Sequence, residues 1–275
     1  MTSVADVVAF LEQRYPPAWA QSWDRVGLVL GSPSAVARTV LLVVDCVPET
    51  VEEAVSLGAD LIVAHHPLLL RGVSSVAPTT YKGRIVHRLI KADVALYTAH
   101  TNADAASPGV SDALARRLGL SALRPLVPAA DDPARGTGRV GVLPSPVSLA
   151  DFTAAVAAAL PATAWGVRAA GDPARAVETV AVCGGSGDGF LANAARAGVD
   201  AYLTADLRHH PVSEYVADGG PALVDAAHWA TEHPWLDALA AELRAGLGLH
   251  VVVSERDTDP WTLHVSTHDE KEPRP

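Results

Sequence analysis

"LIVAHHPLLL", residues 61–70, is an apolar run interrupted by two adjacent histidines and a proline. The run before the histidines predicts a short buried strand. Adjacent residues of an extended strand point to opposite faces. Because the strand ends here and Pro67 restricts the backbone of His66, both imidazoles could reach one cluster from different sides. The stretch therefore predicts a strand that delivers His65 and His66 to its carboxyl end.

Apolar runs of this kind alternate with segments of helical spacing along the whole chain, and the alternation predicts an α/β fold. The predicted strands cover residues 39–45, 60–64, 94–99, 139–144, 177–183, 200–205, 222–227, 250–254 and 261–266. The helical segments cover residues 48–58, 81–92, 109–119, 148–160, 188–198 and 232–248. A further helix near the N-terminus, capped by Ser3, should end before Pro16.

The chain contains an internal echo. "EEAVSLGADLIVAHHP" (52–67) and "ANAARAGVDAYLTADLRHHP" (192–211) both read as a helix, a glycine stop, an aspartate, a strand and a His-His-Pro block. We expect two related α/β halves with mixed sheets, at residues 1–127 and 139–268. A linker at 128–138 and a disordered tail at 269–275 complete the predicted organisation. A site at the interface of the halves is the expectation, because ligand sites favour such interfaces.

Composition limits the classes of function. The 275 residues include 21 basic and 31 acidic side chains, for a formal net charge of −10. This charge argues against nonspecific binding of nucleic acid, which needs a basic surface. The N-terminus lacks the features of a signal peptide, and no apolar run is long enough for a membrane helix. We therefore expect a cytoplasmic protein that does not bind membranes, with Cys46 and Cys183 as buried thiols.

Histidines and carboxylates recur after the predicted strands. A histidine at a strand end is most often structural, but two doublets and two His-x3-carboxylate pairs in duplicated context indicate a metal site. Imidazole nitrogen and carboxylate oxygen suit a borderline divalent cation. Carboxyl ends of parallel strands gather at one edge of a sheet, where ligands bind. The candidate ligands are His65, His66, His100, Asp104, His209, His210, His228 and Glu232.

Several blocks together resemble the NIF-three-like family, whose members are described as GTP cyclohydrolase I type-two homologues or dinuclear metal-centre proteins. The blocks are "WDRVGLVLG" (23–31), "ADLIVAHHPLLL" (59–70), "YTAHTNADAASPGVSDALARRLGL" (97–120), "GTGRVGVLP" (136–144), "CGGSG" (183–187), "YLTADLRHH" (202–210) and "AAHWATE" (226–232). The resemblance implies two α/β halves flanking a two-metal centre, assembled as a ring-like homohexamer. With its short linker, the chain resembles members that lack an insert between the halves.

The resemblance also implies roles for individual residues. Two divalent ions per chain (Zn, Mn, Fe or Ni) would be held by His65, His66, Asp104, His228 and Glu232. Glu232 would bridge both ions. His100 matches a residue beside the metals, and His210 matches the histidine of a Thr-Gly-Asp-x-x-x-His block, in which this chain has Ala205 for the glycine. These two histidines are candidates for catalytic proton transfer.

Three classes of function remain open. Five side chains on two ions leave coordination positions free, and the set contains no cysteine, which favours a hydrolase over a structural zinc site. The substrate would be nucleotide-like or another polar small molecule. The alternative is a non-catalytic metal-binding or regulatory protein assembled as a ring, and the third, a nucleic-acid processor, is disfavoured by the acidic charge. The loop "GGSGDG" (184–189) could cradle a phosphate or form a tight turn, and Trp229 could wall a pocket or belong to the core.

Overall fold

The computed structural model describes residues 1–265, so the predicted tail at 269–275 and the last residues of the predicted second half lie outside the described part. The helices are α1 (Val4–Arg14), α2 (Pro48–Leu57), α3 (Tyr81–Lys91), α4 (Thr101–Ala105), α5 (Val110–Arg117), α6 (Leu149–Ala159), α7 (Leu191–Ala197), α8 (His209–Ala217), α9 (His228–Glu232) and α10 (Pro234–Leu247). The strands are β1 (Gly27–Leu30), β2 (Thr39–Val43), β3 (Leu61–Ala64), β4 (Ala95–Thr98), β5 (Ser121–Pro128), β6 (Gly136–Ser148), β7 (Val167–Ala170), β8 (Ala176–Ser186), β9 (Ala201–Ala205), β10 (Ala222–Ala226) and β11 (His250–Val253).

The strands form two mixed sheets, which confirms the predicted α/β class. The first has the order β1-β4-β3-β2-β11, and the second has the order β5-β6-β8-β9-β10-β7. In the first sheet β2, β3, β4 and β11 are parallel, and only β1 runs antiparallel to its neighbour β4. In the second sheet β8, β9 and β10 are parallel, whereas β5, β6 and β7 pair antiparallel.

The two sheets share a common pattern of three parallel strands and an antiparallel edge strand beside the third. The echoed aspartates play the same part in both. Asp60 Oδ2 accepts the Thr39 amide at 2.9 Å, and Asp200 Oδ2 accepts the Thr179 amide at 2.8 Å. Each aspartate directly precedes a parallel strand and thereby ties the start of that strand to a threonine of the neighbouring strand. The echo in the sequence thus corresponds to repeated local structure.

Chain segments are shared between the sheets in a way that the sequence did not reveal. Strand β11, from the C-terminal part of the chain, pairs in parallel with β2 of the first sheet. The segment predicted as a linker connects β5 to β6 in an antiparallel hairpin, with Pro128 opposite Gly136. The suggested boundary at residue 127 falls inside β5. A hairpin loop and a linker are both rich in proline, aspartate and glycine, so composition does not separate them.

One predicted strand is wrong. Residues 261–265 make no strand pairing, and the side chains of Trp261, Leu263 and Val265 are exposed. Alternation of apolar residues favours an extended backbone but supplies no neighbouring strand. Conversely, the prediction missed β1, β5 and β7, which lie at sheet edges and carry few consecutive apolar residues.

The core joins the two sheets and fixes their mutual position. A single cluster of buried side chains contains Val63 of β3, Val182 of β8 and Leu236 of α10. Strand β3 is buried on both faces, as its continuous apolar sequence predicts. The carboxyl end of β3 thus faces elements of the second sheet across this shared core.

Within residues 1–265, no helix is long and apolar enough to cross a bilayer.

Candidate metal centre

Three strand ends converge at the boundary between the sheets. His65 and His66 follow β3 directly, the short helix α4 follows β4, and α9 follows β10. On α9, His228 and Glu232 are four residues apart, so both side chains lie on one face of the helix. These elements bring together six of the eight candidate ligands, which are His65, His66, His100, Asp104, His228 and Glu232.

Glu232 lies at the centre of this cluster and is only 3% exposed. Its Oε1 is 3.4 Å from Nε2 of His65 and 3.1 Å from Nε2 of His228. Its Oε2 is 3.1 Å from Nε2 of His66. Three imidazole nitrogens from both sheets therefore face one carboxylate. Two groups have ligand atoms within 4.8 Å of one another, His66–His228–Glu232 and His65–His66–His100.

The three imidazoles are held in one orientation by oxygens on their other side. In each ring Nδ1 faces an oxygen atom, which leaves Nε2 directed to Glu232. The Nδ1 partners are the Ala99 carbonyl for His65 at 2.9 Å, Asp45 Oδ1 for His66 at 2.7 Å and Asp206 Oδ2 for His228 at 2.7 Å. With Nδ1 donating to these oxygens, each neutral ring offers the Nε2 lone pair to a cation.

Two atoms of the cluster indicate that a cation fits here. Nε2 of His65 and Oε2 of Glu232 are buried and make no well-aligned hydrogen bond among the described residues, although each has an opposite member of the cluster within 3.4 Å. Buried polar atoms are normally paired. Asp104 adds a further oxygen, 3.7 Å from Nε2 of His65. Imidazole nitrogens and carboxylate oxygens are the donor set that a borderline divalent cation prefers, so the residues present fit a bound metal.

Without a cation, the imidazoles and the glutamate perturb one another. Burial acts to lower the pKa of His66, but the charge of Glu232 and the hydrogen bond to Asp45 outweigh it and raise that pKa to about 10. Burial likewise opposes the rise at His228, where Glu232 and Asp206 raise the pKa to about 11. Burial acts to raise the pKa of Glu232, but the surrounding imidazoles hold it well below its usual range. The cluster is therefore a site for positive charge, supplied by protons or by a metal.

His100 lies beside this cluster and is held by a carboxylate of its own. The centroids of its ring and the His65 ring are 5.2 Å apart. Its Nδ1 is 2.9 Å from Oδ1 of Asp24, which is buried and also accepts the Thr101 amide at 3.0 Å. Burial acts to raise the pKa of Asp24, but the hydrogen bonds from His100 and Thr101 hold it well below the usual range. Asp24 therefore stays ionised and orients His100.

The loop at 184–189 packs tightly against the cluster. A Cβ on Gly185 would lie 2.3 Å from Oε1 of Glu232, and Gly185 has a φ of +66°. Only glycine combines that backbone with so close an approach. The amide of Gly184 donates to Ser111 Oγ and the amide of Gly185 to Thr231 Oγ1. Because these two amides are already engaged, the structure favours the tight-turn interpretation over a phosphate cradle.

The second histidine doublet lies apart from the cluster. His209 and His210 begin α8, are exposed and pack against each other with ring centroids 5.1 Å apart. Three residues separate them from β9, so the strand-end positions in the second half belong to Ala205 and Asp206. Neither histidine is in a group of close ligand atoms. A catalytic role for His210 stays a prediction, and it would require movement of α8 or a second chain.

Three carboxylates were missed as site residues. Asp45 and Asp206 follow β2 and β9, and Asp24 precedes β1 in a block that the resemblance already included. Their position close to strand ends was the available signal. Nothing in the local sequence indicates that Asp45 faces His66 or that Asp206 faces His228.

A cavity of about 800 Å³ opens onto the cluster, within the range of small-molecule sites. His66, His100, Asp104, His228 and Glu232 all contribute to its lining. The rest of the wall includes Trp23, Leu70, Ser186 and Phe190. Trp229, the other aromatic residue singled out from the sequence, is 5% exposed, packs in the core and also lines a smaller adjoining cavity. The site therefore combines buried ligand atoms with access for a polar small molecule.

Comparison with protein families gives one consistent match. Residues 2–260 match the family described as Duf34/NIF3 (NGG1p interacting factor 3). A relative from Streptomyces coelicolor named "GTP cyclohydrolase 1 type 2 homolog" is 55% identical over 274 residues, covering 97% of this chain and 96% of the relative. A Mycobacterium tuberculosis relative with the same name is 39% identical over 372 aligned positions, covering 96% of this chain and 98% of the relative. Because the alignment is longer than 275 residues, that relative carries residues that this chain lacks.

Solved structures give the same result for the fold. A Bacillus cereus protein described as related to NIF3 superposes with a TM-score of 0.89 at 23% identity, covering 96% of this chain and all of that one. A hypothetical protein of Staphylococcus aureus superposes with a TM-score of 0.87 at 27% identity, covering 95% of this chain and 99% of that one.

Proposed function

The chain belongs to the Duf34/NIF3 family, and on that premise we propose that it is a metal-dependent hydrolase of nucleotide-like or other polar small molecules. Two divalent cations would be held by His65, His66, Asp104, His228 and Glu232, with Glu232 between them. The observation that carries the proposal is a pair of buried atoms without a well-aligned hydrogen bond, His65 Nε2 and Glu232 Oε2, beside an open cavity that Glu232 lines.

An open cavity separates this arrangement from a structural metal site. A structural zinc site is closed by four protein ligands, often cysteines. Here the cavity reaches His66, Asp104 and Glu232, so a small molecule has access to any ion that they hold. Cys183 lines the same cavity, but its thiol belongs to neither group of close ligand atoms. The donor set is therefore nitrogen and oxygen, as hydrolytic sites use.

The chain's own residues would bind, orient and transfer protons. Bound ions would supply an activated water and polarise the bond that is broken. Asp45 and Asp206 keep the imidazoles of His66 and His228 in the tautomer that binds a cation. His100, oriented by Asp24 and lining the cavity, would hold or donate a proton at Nε2. Deep burial of Glu232 excludes water from the side of the cluster that faces the core.

The name that the relatives share directs the first test towards purine nucleotides but does not restrict it. Protein purified without chelator would be analysed for metal and then assayed against nucleotides, including GTP, phosphoesters and cyclic amides. Metal-dependent turnover that is lost in Asp104→Asn and retained in Asp237→Asn, a surface control, would support a hydrolase. About two ions per chain with no turnover on any class would favour the alternative, a non-catalytic metal-binding or regulatory protein.

We also propose that the chain assembles as a homohexamer, as the family resemblance implies. Light scattering at micromolar concentration would measure the mass in solution. A mass near six times that of the 28.5 kDa chain is expected. A monomer of 28.5 kDa would contradict the assembly without affecting the metal site, because every proposed ligand comes from one chain.

A further inference from the structure

A second, smaller cavity of about 280 Å³ adjoins the metal cluster. It shares Asp45, His66 and His228 with the main cavity. Asp206, which holds Nδ1 of His228, also lines it. The smaller cavity therefore lies against the imidazoles and their supporting carboxylates, and it is continuous with residues that a substrate in the main cavity would touch.

Three tryptophans from separate parts of the chain wall this cavity. Trp165 precedes β7, Trp229 lies on α9, and Trp261 belongs to the segment after β11. The rings of Trp165 and Trp261 are in contact, with centroids 5.6 Å apart and planes inclined by 39°. We call this cavity, with these tryptophans and Asp259, the tryptophan pocket. Aromatic walls of this kind favour flat ring systems, which stack on any indole face.

Asp259 supplies the pocket's unusual polar group. The residue is 8% exposed, and within residues 1–265 no basic side chain pairs with it. Its one side-chain hydrogen bond in this part of the chain is from the Trp261 amide to Oδ1, at 2.9 Å. A buried carboxylate normally has a cationic partner or several donors. Oδ2 accepts no hydrogen bond within residues 1–265 and is not sealed from solvent, so a ligand in the pocket can reach it.

We propose that the tryptophan pocket binds a flat nitrogen heterocycle, whose N–H groups donate to Asp259 while its face stacks on indole. The inference rests on the proposed function in one respect: the ring is the part of the substrate that is recognised, and the rest extends towards the metal ligands. A volume of about 280 Å³ suits one or two fused rings and not a whole nucleotide. Acidic neighbours at Asp45 and Asp206 add to the preference for N–H donors over anions.

Guanosine is a suitable probe, because it is flat, carries N–H donors on its base and lacks a phosphate that could bind a metal. Its binding to the full metal-loaded chain would be measured by calorimetry, with benzoate as a flat anion without N–H donors. Guanosine should bind at least about tenfold more tightly than benzoate. Trp261→Ala and Asp259→Asn should each weaken guanosine binding about tenfold, the size of one lost stacking or hydrogen-bonding contact.

Leu263→Ala is the matched control, because Leu263 lies on the same segment, is 79% exposed and does not line the pocket. The affinity of the Leu263→Ala variant for guanosine should equal that of the unaltered chain. Absence of saturable guanosine binding at about 1 mM, or equal losses in the control and the pocket variants, would overturn the pocket. Guanosine binding is measured by calorimetry and does not depend on any assay of turnover. Turnover without guanosine binding would overturn the pocket and leave the proposed hydrolase function standing. Pocket-dependent binding without turnover would support the pocket and overturn the proposed hydrolase function.

Discussion

Nε2 of His65 lies 3.4 Å from Oε1 of Glu232, and this pair joins the end of β3 in the first sheet to α9 beyond the second. Both side chains are buried, and each retains an atom without a hydrogen-bond partner among residues 1–265. The cost of leaving such atoms unpaired is offset if a cation lies between them. The boundary of the two sheets therefore depends on what occupies the cluster, and metal content and stability should be coupled.

Removal of metal should lower the thermal stability of the whole chain. A ligand that binds only the folded state stabilises it by about 2.7 kcal/mol at a hundred times its dissociation constant. For a chain of this size, that corresponds to a fall in Tm of at least about 5 °C on chelation. Calorimetry before and after chelator treatment would measure it, and adding metal back should restore the Tm. An unchanged Tm would show that the cluster is not loaded in the purified protein.

The carboxylates that support the imidazoles should matter for metal affinity. Asp45→Asn and Asp206→Asn keep the side-chain size but lose the charge facing His66 and His228. Each should weaken metal binding by about 10–100-fold, since such supporting groups orient the ligand and raise its basicity. Competition with a chromogenic chelator would give the affinities. Asp237→Asn, on the surface beside Arg117, should have no effect.

The pattern in the sequence located most of the cluster, because strand ends and helix spacing are local properties. His65, His66, His228 and Glu232 each follow an apolar run, and the four-residue spacing on α9 places two of them on one face. Their supporting carboxylates were missed because the pairing of Asp45 with His66, and of Asp206 with His228, is a contact between strands. Neither contact follows from local periodicity.

The same limit explains the errors in the fold. Alternating apolar residues predicted a strand at 261–266, yet a strand also needs a partner, and residues 261–265 have none. Strand β11 was found from its sequence, but its place beside β2 depends on the packing of α10 across both sheets. The histidine doublet at 209–210 matches the first doublet in sequence but not in position, because four extra residues after Asp200 move it from the strand end onto α8.

Stability of the metal-free chain should fall as pH rises from neutral. The pKa values of His66 and His228 are raised from 6.5 to about 10 and about 11. A group whose pKa is raised in the folded state stabilises the fold fully at a pH below its unfolded-state pKa. That stabilisation is lost as pH rises through the folded-state pKa. The lowered pKa of Glu232 contributes stability at a pH above its ordinary value of 4.5, and that stability is lost only in acid.

Urea unfolding of chelator-treated protein between about pH 6.5 and 10 would measure this loss. With saturating metal, the free energy of unfolding should instead rise with pH over the lower part of that range. A cation binds only neutral imidazole and therefore competes with protons. A metal-free chain whose unfolding free energy stays constant over this range would contradict the electrostatic account of the cluster.

Arg139 should be a main determinant of stability away from the cluster. It is 1% exposed, and its guanidinium is 2.6 Å from Oδ2 of Asp112 on α5. Arg139→Ala leaves that carboxylate buried without its partner, which costs about 3–5 kcal/mol. Chemical denaturation would measure the change. Arg117→Ala removes an exposed ion pair with Asp237 and should cost under about 1 kcal/mol. Equal losses would show that burial of Arg139 is not what makes its pair important.

Glu232 should control both proposed metal sites, because within residues 1–265 it is the one side chain that faces all three imidazoles. Glu232→Gln keeps the size but removes the charge that screens repulsion between two close dications, and an amide nitrogen does not bind a cation. Metal stoichiometry should therefore fall at both sites, most for the second ion. Asp104→Asn should weaken mainly one site. His210→Gln, on exposed α8, should leave metal content intact. Circular dichroism would confirm that each variant folds. If Glu232→Gln still bound two ions as tightly as the unaltered chain while His210→Gln lost one, the bridging position would lie near residues 204–211, and the cluster around Glu232 would be a proton-binding site instead.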